Sequence, residues 1–217
     1  RKSPMNYIQM LLGRAEVQCE RIANNNDFFT ALEAGHLDEM RWVWQLLYYS
    51  DKFTRSLSLR SALCEHELFK STFARHDFEE VRHREQLKQW MEKAGYDVCV
   101  LETNPVIPTA ATRDCGEFYW YIAAYGDPDT QVLALNVLSE DMALRTFSAI
   151  IKRIGTARLS GPFWQTHKEV DERHKIMGVR LIKEMTKSRY DWLVSLIDQG
   201  AEHYDSMLAS WALIGAD

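Results

Sequence analysis

Residues able to bind a metal ion recur at helical spacing between positions 167 and 174. His167, Asp171 and His174 are separated by four and then three positions, so on a helix they share one face. The same three-and-four spacing continues on both sides, which places this face against a protein core. A carboxylate buried there is costly unless something pairs with it, and a divalent metal is the simplest partner for two imidazoles and a carboxylate. The flanking positions of this stripe are Trp164, Gly178, Leu181 and Met185.

A second stripe of the same kind precedes Gly95. Glu80 and His83 form an ExxH pair, a spacing that lets one helix present a carboxylate and an imidazole to the same metal. His76 lies on the same face, so H-x3-E-x2-H here parallels H-x3-D-x2-H at 167–174. Glu79 is one turn from His83 and could take the place of Glu80, although it lies off the stripe. The apolar positions on either side are Phe69, Phe73, Leu87, Trp90 and Ala94.

A third stripe contains a single carboxylate. Glu140 lies in the middle of a helical face that is otherwise apolar and therefore needs a partner in the core. A metal held by the facing helices would supply one. The apolar members of this stripe are Leu133, Val137, Leu144, Phe147, Ile151 and Ile154.

Together the three stripes offer three carboxylates and three imidazoles. Mixed nitrogen and oxygen ligands without thiolate suit iron or manganese better than a structural zinc. Three carboxylates beside two divalent ions leave little uncompensated charge, so the set suits a dinuclear site with positions open for dioxygen and substrate. His76 either adds a ligand or supports the others from behind. The predicted ligands are Glu80, His83, Glu140, His167, Asp171 and His174.

Helices must position these residues, and the sequence predicts an all-α bundle of about seven helices that forms a single domain over residues 1–217. Strand signals are nearly absent, apart from a short β-like run at 97–101. Proline and threonine residues between Gly95 and Gly116 indicate a loop. Caps and breakers predict helices that begin at Ser3-Pro4 and then cover 27–34, 37–64, 65–94, 116–124, 129–154, 162–187 and 190–213.

Composition narrows the class of partner. The chain has 217 residues, 26 basic and 31 acidic, with no basic stripe, so we expect no nucleic-acid partner. No apolar run approaches membrane-spanning length and no signal peptide is visible. The four cysteines are far apart and form no CxxC pair. We therefore expect a cytoplasmic protein that binds no membrane and acts on a small molecule. The sequence does not determine the oligomeric state, and a homodimer is compatible with it.

The ligand pattern resembles that of the heme-oxygenase-like diiron oxidases, a branch of the fold that also holds TenA-like and PQQ-synthesis proteins. Members carry a Glu and a His on one helix, a Glu on a later helix, and then HxxxDxxH. The resemblance spans most of the chain from about Asp27 and includes the glycine stop at Gly95. His76 is not part of the usual set. The family pattern falls on Glu80 and His83, on Glu140, and on His167, Asp171 and His174.

The resemblance implies two Fe(II) ions per chain that activate O2, with oxidation of a small organic substrate. Known members oxidise fatty acids and amino acids, with outcomes that include N-oxygenation, C–C cleavage and nitrile formation. Aromatic residues near the ligands are also typical of plain core packing. If some of them line a pocket, they favour a flat substrate such as a tryptophan-like amino acid, whose carboxylate would need a cation. The aromatic candidates for a substrate pocket are Phe73, Trp90, Phe147 and Trp164, and the cationic ones are Arg145, Arg158 and Arg180.

Three other interpretations compete with a diiron oxidase. One is a metal-free or haem-binding protein of the same fold. Another is a non-enzymatic helical interaction protein, in which the polar residues of the three stripes pair with one another as buried salt bridges. A ferritin-like diiron bundle would need two ExxH motifs on separate core-facing stripes, and only one is found.

Overall fold

The computed structural model describes residues 6–100 and 106–215, and these residues form helices and turns without a β-strand. This confirms the predicted all-α class. The helices are α1 (Tyr7–Asn25), α2 (Asp27–Ala34), α3 (Val43–Leu63), α4 (Glu67–Glu80), α5 (His83–Lys93), α6 (Ala110–Tyr125), α7 (Pro128–Gln131), α8 (Ser139–Ile154), α9 (Pro162–His174) and α10 (Lys187–Gly215), with a π-helical segment at Val132–Leu138 and a 3-10 turn at Val179–Leu181.

The predicted ligands lie on four helices, α4, α5, α8 and α9, which pack together with their neighbours. Helix α3 packs against α4, α5 and α6, while α9 packs against α8 and α5. Helix α10 is the longest and closes the bundle against α1, α2 and α6. The stripes that bear the predicted ligands therefore face the interior from α4, α5, α8 and α9. None of the helices in the described ranges combines the length and apolarity needed to cross a membrane.

Side-chain caps explain where several of the helices begin. Asn6 caps α1 by accepting a hydrogen bond from the Gln9 amide, whereas the predicted start at Ser3-Pro4 lies outside the described residues. Helix α6 begins at Ala110, earlier than predicted, because Thr109 caps it through the Thr112 amide. The predicted loop from Gly95 to Gly116 was therefore too long. The β-like run is also wrong as far as it is described, since residues 98–99 form a turn.

Helix α3 begins at Val43 and not near Leu37. Met40 has a backbone φ of 55°, in the left-handed region, and a right-handed helix cannot pass through such a residue. The preceding residues form turns that follow the left-handed Gly35 at the end of α2. The apolar and aromatic pattern from Leu37 onward therefore marks buried residues more reliably than it marks the helix boundary.

The helix predicted over 65–94 is two helices. Helix α4 ends at Glu80, residues 81–82 form a turn, and α5 begins at His83. The ExxH pair thus spans the junction between two helices, although its two side chains still touch. The pattern does not reveal the junction, because helical spacing resumes on the same face after the turn.

The helix predicted over 162–187 ends at His174. Residues 175–178 form turns, and Gly178 is left-handed with a φ of 85°. A β-carbon at Gly178 would lie 2.8 Å from the Val132 side chain, so a residue without a side chain is needed there on two grounds. Leu181 and Met185 are therefore not part of the helix that carries His167, Asp171 and His174.

Candidate metal centre

Four buried side chains from three helices meet at one point in the core. His76 and Glu80 come from α4, Glu140 from α8 and His174 from α9. Their potential ligand atoms all lie within 4.8 Å of one another. None of the four is more than 4% exposed, so water does not screen their charges.

Glu80 faces two sets of imidazoles with its two oxygens. Its Oε1 lies 3.0 Å from His174 Nδ1, and its Oε2 touches His83 Nδ1. The His83 ring in turn lies 4.3 Å from the His167 ring, measured between centroids. All four of these residues are buried. One carboxylate therefore connects a pair formed by His83 and His167 with a group formed by Glu140 and His174.

Several atoms at this centre have no hydrogen-bond partner among the described residues. A buried polar atom without a partner is expensive, and native cores contain few of them. The contacts of Glu80 with His83 and His174 have the distances of ion pairs without the angles of hydrogen bonds. The unpartnered atoms are Glu80 Oε1, His83 Nδ1, Asp171 Oδ2 and His174 Nδ1. A metal ion bound by these atoms would satisfy them.

The outer nitrogens of two histidines are held by hydrogen bonds. His174 Nε2 lies 2.7 Å from Glu79 Oε2, and His167 Nδ1 contacts the carbonyl of Phe163 one turn earlier. Both acceptors are oxygens that cannot donate, so each outer nitrogen carries the proton. The inner nitrogens, His174 Nδ1 and His167 Nε2, are then the ones whose lone pairs a metal would use. Such outer partners are typical of metal-binding histidines.

Glu79 therefore lies behind His174 and not among the ligand atoms. It also binds Arg75 at 2.9 Å and Arg173 at 2.8 Å, at the edge of the core. Partial burial raises the pKa of Glu79, but the hydrogen bonds from His174 and Arg75 outweigh it and the net pKa is lowered. The carboxylate is thus charged, as a proton acceptor for His174 must be.

A buried arginine that the sequence analysis did not select lies beside His76. Arg60, from α3, has no exposed surface and lies with its guanidinium 4.1 Å from the Phe73 ring centroid. It contacts Asn136 and His76. Burial lowers its pKa to about 9, which still leaves it charged near neutral pH. The sequence does contain a pattern that indicates a buried Arg60, because Phe53, Leu57 and Arg60 follow the spacing of a core-facing helix side on α3.

The three buried carboxyl groups differ in the direction of their pKa shifts. Burial, together with Glu80 and Asp171, raises the pKa of Glu140 well above its ordinary value. Burial and Glu80 do the same for Asp171. Glu80 behaves in the opposite way, because the neighbouring histidines outweigh its burial and lower its pKa. Burial also lowers the pKa of His167 to about 3, which keeps this imidazole neutral. Without metal, the raised pKa values therefore favour the protonated forms of Glu140 and Asp171.

A cavity lies on one side of the centre, between α3, α8 and α10. Glu80, His83, Glu140 and His167 form its metal-facing wall. Aromatic, hydroxyl and aliphatic side chains form the rest, and among the described lining residues there is no lysine or arginine. The members that the sequence analysis did not select include Tyr49, Phe53, Ser139, Thr146, Tyr204 and Trp211.

The four aromatic residues predicted for a substrate pocket separate into two groups. Phe147 lines the cavity and lies 4.3 Å from the His167 ring. Trp90 and Trp164 pack edge to face with 5.1 Å between their ring centroids, and neither lines the cavity. Phe73 lies under the guanidinium of Arg60. Helical spacing identifies a core-facing aromatic residue, but it does not tell which of these residues borders an internal space.

Comparison with known proteins identifies the family. Residues 40–201 match the family model described as iron-containing redox enzyme. The chain belongs to this family of iron-containing redox enzymes. No protein in the set of curated proteins matches it.

Solved structures show the same fold at low sequence identity. A TenA homolog from Pseudomonas syringae pv. tomato str. DC3000 has a TM-score of 0.75 and 10% identity, with 96% of this chain and 93% of that chain covered. A domain of unknown function with a heme oxygenase-like fold from Shewanella denitrificans OS217 has the same TM-score and coverage and 16% identity. These likenesses confirm the predicted heme-oxygenase-like fold.

The donor set suits the metal that the family name contains. Iron accepts mixed imidazole and carboxylate ligands, and the centre offers both without a thiolate. The unpartnered inner nitrogens and the unpartnered carboxylate oxygens are the atoms that an iron-containing redox enzyme would use. The residues present therefore fit iron.

Proton release should accompany metal binding. The raised pKa values favour the protonated forms of Glu140 and Asp171 in the metal-free protein, and a metal ion binds their deprotonated forms. We therefore expect apparent Fe(II) affinity to keep rising with pH above the range in which ordinary carboxyl groups titrate. Anaerobic titration calorimetry in buffers of different ionisation enthalpy measures the protons released. Binding without proton release, or an affinity that does not change with pH, would contradict this electrostatic description.

Proposed function

We propose that this iron-containing redox enzyme binds two Fe(II) ions and uses O2 to oxidise a small organic substrate. The observation that carries the proposal is the position of Glu80, which directs one oxygen toward His174 and the other toward His83. A carboxylate in that position can be shared between two metal ions. A single ion would leave one of the two sets of imidazoles without a cation.

Each ion would have its own set of ligands. Glu80, His83 and His167 would hold one ion, and Glu80 with Glu140, Asp171 and His174 would hold the other. Two ferrous ions bound there would supply electrons for the reduction of O2. The chain itself contributes imidazoles oriented by Glu79 and the Phe163 carbonyl, and carboxylates that offset the added positive charge.

The cavity suggests how a substrate would be bound. Phe53, Phe147 and Tyr204 offer an apolar and aromatic wall next to Glu80 and His83, which would exclude water from the reacting atoms. The three arginines predicted to bind a substrate carboxylate are not among the lining residues. Arg145, for example, pairs with Asp141 at 3.2 Å. We propose that the substrate has an apolar or aromatic body, and that a carboxylate, if present, binds at the metal ions.

A tryptophan-like amino acid remains within this substrate class. The aromatic wall suits an indole ring, and the hydroxyl of Thr146 has no partner in the cavity wall. Oxidative fragmentation and nitrile formation belong to the same proposal. Cytoplasmic location, the lack of a nucleic-acid partner and a homodimeric assembly stay predictions from the sequence.

Iron loading tests the two-ion proposal. Anaerobic titration with Fe(II), followed by removal of unbound metal and iron analysis, should give about two ions per chain. His167→Gln and His174→Gln should each lower this value to about one, because each removes a ligand from a different ion. His66→Gln is the matched control, since His66 is exposed and precedes the first residue of α4, whereas Glu80 is the last residue of that helix. Full loading of both ligand variants would refute the assignment.

A second arm tests the cavity as the substrate site. When the Fe(II) protein is mixed with O2 in a stopped-flow instrument, L-tryptophan should speed the absorbance change and tryptamine, which lacks the carboxylate, should not. Ala143→Phe fills the cavity from α8 and should abolish the acceleration while iron loading stays complete. Ala149→Phe, on the same helix but lining an outer groove, should leave both unchanged. Acceleration that survives in Ala143→Phe would exclude this cavity.

A further inference from the structure

His76 is the one member of the four-residue cluster whose bonding differs from that of a ligand. Its ring lies 4.3 Å from the His174 ring, and both nitrogens have close polar neighbours. Nε2 lies 2.8 Å from Glu140 Oε1, while Nδ1 lies 2.8 Å from Arg60 Nη2. Proximity alone would allow it to bind a metal together with Glu80, Glu140 and His174. The protons on its neighbours decide otherwise.

The neighbours of Nδ1 are both donors. A guanidinium has N–H groups and no acceptor, so Arg60 can only donate to Nδ1. The second neighbour, Asn136 Nδ2, lies 2.8 Å from Nδ1. The orientation of this amide is determined twice, because Asn136 Oδ1 accepts from Arg60 Nη1 at 2.7 Å and Nδ2 donates to the His174 carbonyl at 3.1 Å. Nδ1 therefore carries a lone pair.

The ring proton must then lie on the other nitrogen. A neutral imidazole has one N–H and one lone pair, so an acceptor at Nδ1 places the proton on Nε2. That N–H points at Glu140 Oε1 and donates to it. A nitrogen that carries a proton has no lone pair for a metal. We infer that His76 is a positioning residue, which donates a hydrogen bond to the ligand Glu140, and that Arg60 and Asn136 fix its tautomer.

The location of the three residues supports a positioning role. Arg60, His76 and Asn136 are each no more than 1% exposed, and they come from α3, α4 and the π-helical segment just before Glu140. Asn136 is also bonded to the last residue of α9, His174, through its carbonyl. The network therefore connects the helix that carries Glu80 with the two chain segments that carry Glu140 and His174. It holds ligands in place from behind, as outer hydrogen-bond partners do in metal sites.

Substitution by glutamine distinguishes a donor from a ligand. In His76→Gln the amide oxygen can accept from Arg60 and the amide N–H can donate to Glu140, but the side chain is a poor iron ligand. We expect about two Fe(II) per chain, with affinity within about tenfold of the wild type. His76→Phe, which keeps a ring of similar shape without either group, should bind about 10- to 100-fold more weakly. His174→Gln is the comparison variant that loses an ion. If His76→Gln loses an ion to the same extent as His174→Gln, His76 is a ligand and the inference is wrong.

The inference rests on the proposed metal centre, so a second measurement keeps the two apart and does not depend on a variant that folds. Long-range nitrogen–proton NMR spectra of the metal-free wild type, labelled with 15N in histidine, should show His76 as the Nε2–H tautomer. An Nδ1–H tautomer would overturn the inference. A wild type that binds no iron would refute the proposed function, and the NMR spectrum would still decide the tautomer.

Discussion

Three carboxylates enclosed in one core are the constraint on which the rest of this structure depends. Glu80, Glu140 and Asp171 come from three different helices and are each no more than 4% exposed. Charges of one sign at short range in a dry interior repel strongly and are costly to bury. The protein reduces part of this cost because the raised pKa values of Glu140 and Asp171 favour their neutral forms and because imidazoles surround Glu80. Divalent ions would meet it more completely, which is why the donors point inward.

The alternative of buried salt bridges does not account for this arrangement. In such a core each carboxylate would accept well-aligned hydrogen bonds from the imidazoles, and a half-satisfied polar network is less stable than an apolar one. Here the inner nitrogen of His174 and the facing oxygen of Glu80 are 3.0 Å apart and both lack a hydrogen-bond partner. His174 donates to Glu79 from the opposite side of its ring. A cation between His174 Nδ1 and the facing Glu80 oxygen would satisfy both atoms.

Irregular backbone occurs where the ligands lie. Glu80 ends α4, His83 begins α5 and His174 ends α9. Glu140 is the second residue of α8, directly after the π-helical segment Val132–Leu138. π-Helical insertions in α-helices often occur at functional sites, because they change the direction of side chains without ending the helix. A straight helix with regular spacing would present the same residues, but not in the same directions.

These irregularities explain which parts of the site the sequence does not predict. Helical spacing identified the faces that carry Glu80, Glu140 and His174 because three- and four-residue steps survive a short turn. It did not show that α9 stops at His174, since Leu181 and Met185 continue the apolar rhythm beyond the break. Residues that act on the ligands from other helices, such as Arg60, also have a core-facing spacing but no motif.

The cavity lining was the least predictable part for a related reason. Tyr49, Tyr204 and Trp211 come from helices far from the ligands in sequence. A periodic pattern indicates which face of a helix is buried, but not which other face it meets. Trp90 and Trp164 satisfied the same pattern and lie in solid aromatic packing. Only the tertiary arrangement separates an aromatic residue that borders a space from one that fills it.

The proposed function depends on Glu80 being shared between two ions, and anomalous diffraction from crystals loaded anaerobically with Fe(II) tests this arrangement. We expect two anomalous peaks per chain, one on each side of the Glu80 carboxylate and about 3.5–4 Å apart. The peak nearer α5 should lie between His83 and His167, and the other beside His174. A single peak coordinated by His76, Glu80, Glu140 and His174, with none beside His83 and His167, would contradict it.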